Sequence, residues 1–335
     1  MSSPAISILL PVHNEERYLP AALASVQRQT FTDWELVVVD DGSTDATAQI
    51  LAETARTDRR IRVIEQENRG IAAALNTGLS HCRADFVARM DGDDISHPRR
   101  LELQFQVLHD NPQVDLVACE VQHFPRQDLQ EGMKAYEAWQ NSLIEHEEIK
   151  LDLFVESPFA HPSVLFRRQV VADLGGYRQR AWAEDYDLWL RMASSGARFT
   201  RLRRQLFFWR DRPERLTRTA ANCTAKAFRT CKAHFLAEGY LSGIDSVTLW
   251  GAGTEGKAWR KALMAQNIRV KRWIEIDRRK IGQTIHGAPV VPINELAPGQ
   301  GKMLITIGAK GARAQVRQWA AERGLVEGED FVCVT

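Results

Sequence analysis

The chain has 335 residues, with 44 lysines and arginines against 43 aspartates and glutamates. The length predicts one large and one small domain, and the charge balance gives no electrostatic case for nucleic acid. Five scattered cysteines (Cys82, Cys119, Cys223, Cys231 and Cys333) form no Cys-x-x-Cys pair. They read as reduced thiols of a cytoplasmic protein and exclude a zinc or disulfide framework, while the absence of a basic n-region and of any run of roughly 18 apolar residues excludes a secretion signal and a membrane span.

Ile6 to Val12 is apolar on both faces, as expected of a strand inside a covered parallel sheet. Asn14 is placed to cap a following helix, with Glu15 and Glu16 in its first turn and Leu19, Ala22, Leu23 and Val26 at helical spacing. The pattern repeats. Leu36–Val39 reads as a buried strand, Asp40-Asp41-Gly42-Ser43-Thr44-Asp45 as a cap-rich turn, and Ala46 to Ala55 as a helix; Ile61–Ile64, Asn68-Arg69-Gly70 and Ile71 to Leu79 make a third unit. A fourth strand, Phe86 to Met90, runs straight into Asp91, Asp93 and Asp94. Carboxylates so close repel unless a cation sits among them, and Asp-x-Asp suits a hard ion such as Mg²⁺ or Mn²⁺; the plainer reading is an acidic turn after a strand. Alternating strand and helix predicts a doubly wound sheet, which binds ligands beyond the carboxyl ends of its strands, where these polar segments collect. Asp40 or Asp41 can accept from a ribose or base while the Asp-x-Asp holds a metal against a diphosphate; no Gly-x-x-x-x-Gly-Lys-Ser/Thr loop occurs.

Pro11-Val12-His13-Asn14-Glu15-Glu16, Val39-Asp40-Asp41-Gly42-Ser43-Thr44-Asp45, Asn68-Arg69-Gly70 with Asn76-Thr77-Gly78, and Met90-Asp91-Gly92-Asp93-Asp94 resemble the successive motifs of the family 2 glycosyltransferases. The resemblance spans roughly residues 5–220 and implies a GT-A fold, a nucleotide-sugar donor, a divalent metal and inversion at the anomeric carbon. It implies that Pro11, Val12, Asn14, Glu15, Asp40, Asp41, Asn68, Gly70 and Asp91 line the donor, and that Asp93 with Asp91 holds Mn²⁺ or Mg²⁺.

Further on, Pro98 to Asp110 reads as a helix, Val114 to Cys119 as a strand, and 122–150 as a charged helical stretch facing the acceptor. Ser163 to Phe166 reads as a strand and Arg168 to Leu174 as a helix stopped by Gly175-Gly176. Trp182-Ala183-Glu184-Asp185-Tyr186-Asp187 resembles the family's segment in which a carboxylate at a helix mouth is the general base. Asp185 is the first choice, Glu184 the second and Asp187 the third; these acids could instead simply cap the helix. Eight arginines fall between Arg198 and Arg218. They read as a solvated basic face or, by resemblance of Trp209-Arg210-Asp211-Arg212 to the segment that closes over the diphosphate, as phosphate-clamping Arg210 and Arg212, the latter where histidine is common.

Domain boundaries are expected at 1–220, a helical linker at 221–244 (helix Thr219 to Gly239) and a small Rossmann-like domain at 245–335. In the last, the strand Ser246 to Trp250 leads to Gly251, Gly253 and Gly256 and a helix from Lys257 to Gln266. The strand Val270 to Ile276 then ends at Asp277, 21 residues after Gly256, in the setting of a dinucleotide fingerprint. Met303 to Ile307, Ala309 to Arg323 and Asp330 to Val334 read as strand, helix and strand. The leading expectation is therefore an inverting, metal-dependent glycosyltransferase with a saccharide or lipid-linked acceptor. Family members commonly build surface polysaccharide or glycolipid, which implies peripheral contact with the inner membrane face. The alternatives are a sugar nucleotidyltransferase and a module sensing a dinucleotide or nucleotide-sugar.

Overall fold

The computed structural model describes residues 3–309 and 311–335. The chain forms two compact units, one comprising the residues up to Ile149 and Pro158–Ala220, the other comprising Lys150–Ser157 and Ala221–Thr335.

In the first unit the chain runs β1 (Ile6–Val12), α1 (Leu19–Gln27), β2 (Trp34–Asp41), α2 (Thr47–Thr57), β3 (Ile61–Gln66), α3 (Ile71–His81), β4 (Phe86–Arg89) and β5 (Ile95–Ser96). It continues through α4 (Arg100–Asp110), β6 (Leu116–Phe124), α5 (Glu131–Ser142), α6 (His146–Asp152), β7 (Leu165–Arg167), α7 (Arg168–Asp173), α8 (Glu184–Ser194), β8 (Phe199–Arg210) and α9 (Leu216–Thr219). Its eight-stranded sheet has the order β3-β2-β1-β4-β7-β6-β8-β5. β1 runs parallel to β2 and β4, whereas β7 is antiparallel to both β4 and β6, so the sheet is mixed. Every residue of β1 and β2 is buried, which is why their sequences read as continuous apolar runs rather than alternating ones. The core gathers Leu10, Leu36, Val38, Ala88 and Met90 from the sheet with Leu19, Leu23, Leu101 and Leu108 from α1 and α4. The order reverses at β1: β2 and β3 lie on one side and β4 on the other, so the crevice beyond the carboxyl ends of β1 and β4 is the topological switch point.

Two local expectations are corrected. Asn14 caps no helix; α1 starts at Leu19, with Pro20 in its first turn and no side-chain cap. The arginine-rich stretch after Arg198 forms a twelve-residue strand, β8, parallel to β6. Arg201 on that strand is buried, its guanidinium donating to the carbonyls of Leu143 at 3.0 Å and of Pro158.

The second unit contains α10 (Ala225–Glu238), β9 (Ser246–Trp250), α11 (Thr254–Met264), β10 (Arg269–Glu275), β11 (Thr284–Ile285), β12 (Ala288–Pro292), β13 (Met303–Ile305), α12 (Ala312–Ala321) and β14 (Phe331–Cys333). Its sheet has the order β11-β12-β10-β9-β13-β14, parallel except for the β11–β12 hairpin. That is the order of a five-stranded Rossmann-like sheet with one edge addition. The core packs Leu249, Trp259, Leu263, Trp273 and Leu304 with Ala233 and Leu236 of α10, so α10 is one of the layers of this unit. Lys150–Ser157 belongs here too. Lys232 Nζ donates to the Val155 carbonyl at 2.6 Å, and Asp152 accepts from Arg317 at 2.6 Å. Among the described residues no helix is long and apolar enough to cross a membrane.

Candidate active site

At the switch point the loops after β1 and β2 are laced together by side chains. Asn14, at φ 54°, accepts from Thr44 N at 2.8 Å and donates its own N–H to Ser43 Oγ at 2.9 Å. Glu15 N donates to Thr47 Oγ1 at 2.8 Å, and Ala46 N donates to Glu16 at 2.9 Å. These bonds occupy the groups that would otherwise cap α1 and explain its late start. Pro11 and Val12 are buried within β1 and support this rim from beneath. A Cβ on Gly92 would lie 2.9 Å from Val12 Cγ1, so glycine lets the acidic loop lie flat against β1.

The two aspartates ending β2 divide their work. Asp41 accepts from Gln66 Nε2 at 2.6 Å, Arg69 N at 2.9 Å and Gly70 N at 2.8 Å, and so fixes the loop that starts α3. Asp40 accepts from Ser43 N at 3.0 Å through one oxygen and is the better placed of the two to receive a ligand hydroxyl or imide through the other. His13 Nδ1 lies 2.9 Å from the Asp41 carbonyl oxygen and therefore donates to it; Asn68 Nδ2 in turn donates to His13 Nε2 at 3.2 Å.

Beyond β4, one carboxylate oxygen from each of Asp91, Asp93 and Asp94 lies within 4.8 Å of the others. Asp94 is fully buried; one oxygen accepts from Arg210 N at 2.6 Å and the other is a buried oxygen with no donor among the described residues. Burial first, then the charges of Asp93 and Asp91, push its carboxyl well above the ordinary range, and burial and Asp91 push Asp93 up likewise. Converging hard oxygens, mutual repulsion and an orphaned buried acceptor together fit a divalent cation. Arginines supply the positive charge around them. Arg89 pairs with Asp91 at 2.7 Å; Arg212 Nε lies 2.8 Å from Asp93 Oδ2 while its other arm pairs with Glu15; and Arg210 Nε donates to the Asp93 carbonyl at 2.6 Å. Arg210 is sandwiched between aromatic rings, 4.4 Å from the centroids of both Tyr18 and Phe124. Burial and Asp93 push the Glu15 carboxyl up to about 7.

A second pair of carboxylates stands in the first turn of α8, at the positive end of its dipole. Asp185 accepts from Tyr186 N at 2.6 Å; burial and then Glu184 push its carboxyl up to about 7. Arg89 acts in the opposite direction on both Glu184 and Asp185, so this one buried guanidinium is felt by the acidic cluster and by the α8 acids alike. His161 Nδ1 is 4.0 Å from Glu184 and its Nε2 is 3.0 Å from the Tyr177 hydroxyl; burial drives the imidazole well below its ordinary range, so it is neutral. Asn76 clamps the Tyr177 backbone from both sides at 2.8 Å. Asp187 differs from its neighbours: it accepts from Trp182 Nε1 at 2.9 Å and pairs with Arg191 at 2.7 Å, which anchors the loop before the helix. Arg89, His161 and the Asn76 clamp carried no role in the sequence reading. The visible signal was a charged residue inside the apolar run Phe86–Met90, since a buried charge demands partners.

In the second unit Gly251 (φ 117°) and Gly253 turn the chain from β9 into α11, and a Cβ on Gly256 would lie 1.9 Å from the Gly251 carbonyl oxygen. Asp277 is folded onto Arg279, accepting from its backbone and guanidinium at 3.0 Å, which holds its carboxyl down at about 2. The acid that reaches the glycine loop is Glu275, at the end of β10, accepting from Ala252 N at 3.4 Å and Lys280 Nζ at 2.8 Å. Asp277 lies two residues beyond the end of β10, which closes at Glu275 rather than Ile276.

The family model for glycosyl transferase family 2 matches residues 7–175. The amylovoran biosynthesis glycosyltransferase AmsE of Erwinia amylovora is 33% identical over 193 residues, covering 57% of this chain and 70% of AmsE. The UDP-Gal:alpha-D-GlcNAc-diphosphoundecaprenol beta-1,3-galactosyltransferase of Escherichia coli is 27% identical over 248 residues, 73% of this chain and 88% of that protein. Two longer relatives are matched over only 30% and 34% of their own length. The crystal structure of S. aureus TarS 1-349 in complex with UDP-GlcNAc superposes with a TM-score of 0.56 at 19% identity, covering 78% of this chain and 80% of that one, a likeness of fold.

Proposed function

The chain belongs to glycosyl transferase family 2, and on that premise we propose that it moves a sugar from a nucleoside-diphosphate donor to an acceptor hydroxyl with inversion, using a divalent metal. The observation that carries this reading is Arg89. Its guanidinium pairs with Asp91 of the cluster and favours the ionised form of Asp185, which supports reading the acidic cluster and the α8 acids as the diphosphate and base ends of one site.

Asp40 receives the nucleoside, and the rim formed by Pro11, Val12, Asn14, Glu15, Asn68 and Gly70 shapes the pocket around it. Asp93 and Asp91 hold Mn²⁺ or Mg²⁺, which when bound supplies Lewis-acid neutralisation of the leaving diphosphate. Arg210 and Arg212 complete the positive surface facing those phosphates. Asp185 takes the proton of the acceptor hydroxyl as its oxygen bonds to the anomeric carbon, on the face opposite the breaking bond to the diphosphate. A carboxylate with its affinity for protons raised to about 7 is matched to that task. Glu184, beside it, keeps that affinity high and is the alternative base. Surface polysaccharide or glycolipid is the product class supported by the names of the relatives, with a saccharide or lipid-linked acceptor and, for the latter, peripheral contact with the inner membrane face. Family membership favours this reading over a sugar nucleotidyltransferase. In the second unit, Gly251, Gly253 and Gly256 with Glu275 form a loop that suits a nucleotide or nucleotide-sugar in a binding role.

The test is a thermal-shift panel of UDP-, GDP- and dTDP-sugars with and without Mn²⁺. A donor at 100 times its dissociation constant adds about 2.7 kcal/mol of stability. Asp93→Ala is expected to lose the metal-dependent part of the shift, whereas Asp185→Asn keeps it and loses turnover. Sugar transfer by Asp185→Asn at the parent rate would overturn the base assignment.

A further inference from the structure

One carboxylate of the cluster, Asp93, is already neutralised from within. Arg212 inserts its guanidinium between Asp93 and Glu15, on residues that reach it from the loops after β4 and β1, and Glu15 lies 197 positions away in sequence. The three side chains are largely shielded, at 21%, 14% and 14% exposure, so the contact is a built one rather than a surface pair. Arg212 itself sits two residues past the end of β8, next to Pro213, on the chain that Arg210 and Asp211 tie down: Arg210 N donates to Asp94 and Asp211 N to the Phe124 carbonyl at 2.8 Å. The backbone is thus fixed up to the residue before Arg212, while its long side chain carries the charge that bridges Glu15 to the cluster.

We propose that Arg212 is an exchangeable counter-cation: it neutralises Asp93 and Glu15 while the site is empty, and gives up Asp93 to the metal when the donor arrives, turning its freed guanidinium to the donor's phosphates. The inference rests on the metal reading above. Two cations packed on one small carboxylate repel each other, so Arg212 and a divalent ion oppose each other at Asp93. A diphosphate reverses that opposition by offering the displaced guanidinium a planar, bidentate partner. The free protein is thereby guarded against loading metal without substrate, and metal and donor bind with positive coupling through a single side chain.

The experiment titrates Mn²⁺ alone, followed by electron paramagnetic resonance of the free ion, into the whole protein and its Arg212→Gln, Arg212→Lys and Asp93→Asn variants, then repeats each titration with UDP and with GDP present. Arg212→Gln is expected to bind Mn²⁺ alone about tenfold more tightly than the parent and to lose most of the gain in Mn²⁺ affinity that the preferred nucleotide confers. Arg212→Lys, which keeps the charge but not the fork, falls between them. A purely structural role for Arg212 would weaken both bindings together. If Arg212→Gln leaves Mn²⁺ affinity unchanged or lower while Asp93→Asn abolishes it, the exchange is refuted and the metal site stands. If no form of the protein binds Mn²⁺ with either nucleotide, the metal reading falls and the exchange with it.

Discussion

Asp185 has to be ionised to accept a proton, yet burial and the neighbouring Glu184 both favour its neutral form, leaving its pKa at about 7. Turnover should therefore rise about tenfold per pH unit below 7 and level off above it, a dependence read directly from the logarithm of kcat against pH. Replacing Glu184 with glutamine removes the like charge and should move the bend to lower pH by up to about one unit. A bend that stays in place would remove Glu184 from control of the base. The acids after β1, β2 and β4 were legible in the sequence because each follows an apolar strand, and Glu184 and Asp185 because their segment resembles the family's. Their partners were not: Arg89 donates to a carboxylate two residues on, but Arg212 finds Glu15 only through the order of strands, and nothing local to Asp41 distinguishes the loop-fixing acid from the ligand-facing one.

At the level of elements, the first two strand–helix units were readable because both faces of their strands are covered, which makes hydrophobic runs unambiguous. The mixed α/β class expected for the first unit holds, and the second sheet fits a small Rossmann-like unit. β8 escaped because its arginines look like surface; Arg201 violates that rule by giving its guanidinium to backbone carbonyls. The β11–β12 hairpin escaped because the two residues of β11 carry no periodicity and Pro289 and Pro292 mask the strand pattern of β12. In the second unit the close approach of α11 to the glycine loop makes a sharper prediction than any ligand argument. Gly256→Ala puts a methyl 1.9 Å from the Gly251 carbonyl, and because the contact is backbone the strain has no flexible side chain to absorb it. A loss of about 2–3 kcal/mol is expected by urea denaturation. The same substitution at Gly253, where a Cβ meets open space, should be nearly neutral.

For the molecule as a whole, the chain passes between its two units more than once: it divides after Ala220, and Lys150–Ser157 is taken into the second unit ahead of the residues that enclose it. Asp152, buried, holds Arg317, which also pairs with Glu327 at 2.7 Å; Lys232 holds Val155. Asp152→Ala should cost roughly 1–3 kcal/mol and show first as faster amide hydrogen exchange across Lys150–Ser157 and β14, measured by mass spectrometry. No sequence signal marked this excursion, because its eight residues, Lys-Leu-Asp-Leu-Phe-Val-Glu-Ser, continue an ordinary helical pattern. During synthesis this octapeptide leaves the ribosome well before Ala221–Thr335 exists, and at cellular elongation rates the gap is on the order of ten seconds. For that interval Phe154 and its neighbours have nowhere to go. A nascent catalytic half therefore carries a sticky splice awaiting its receptor, and any stop codon near residue 220 would leave that splice permanently unmatched.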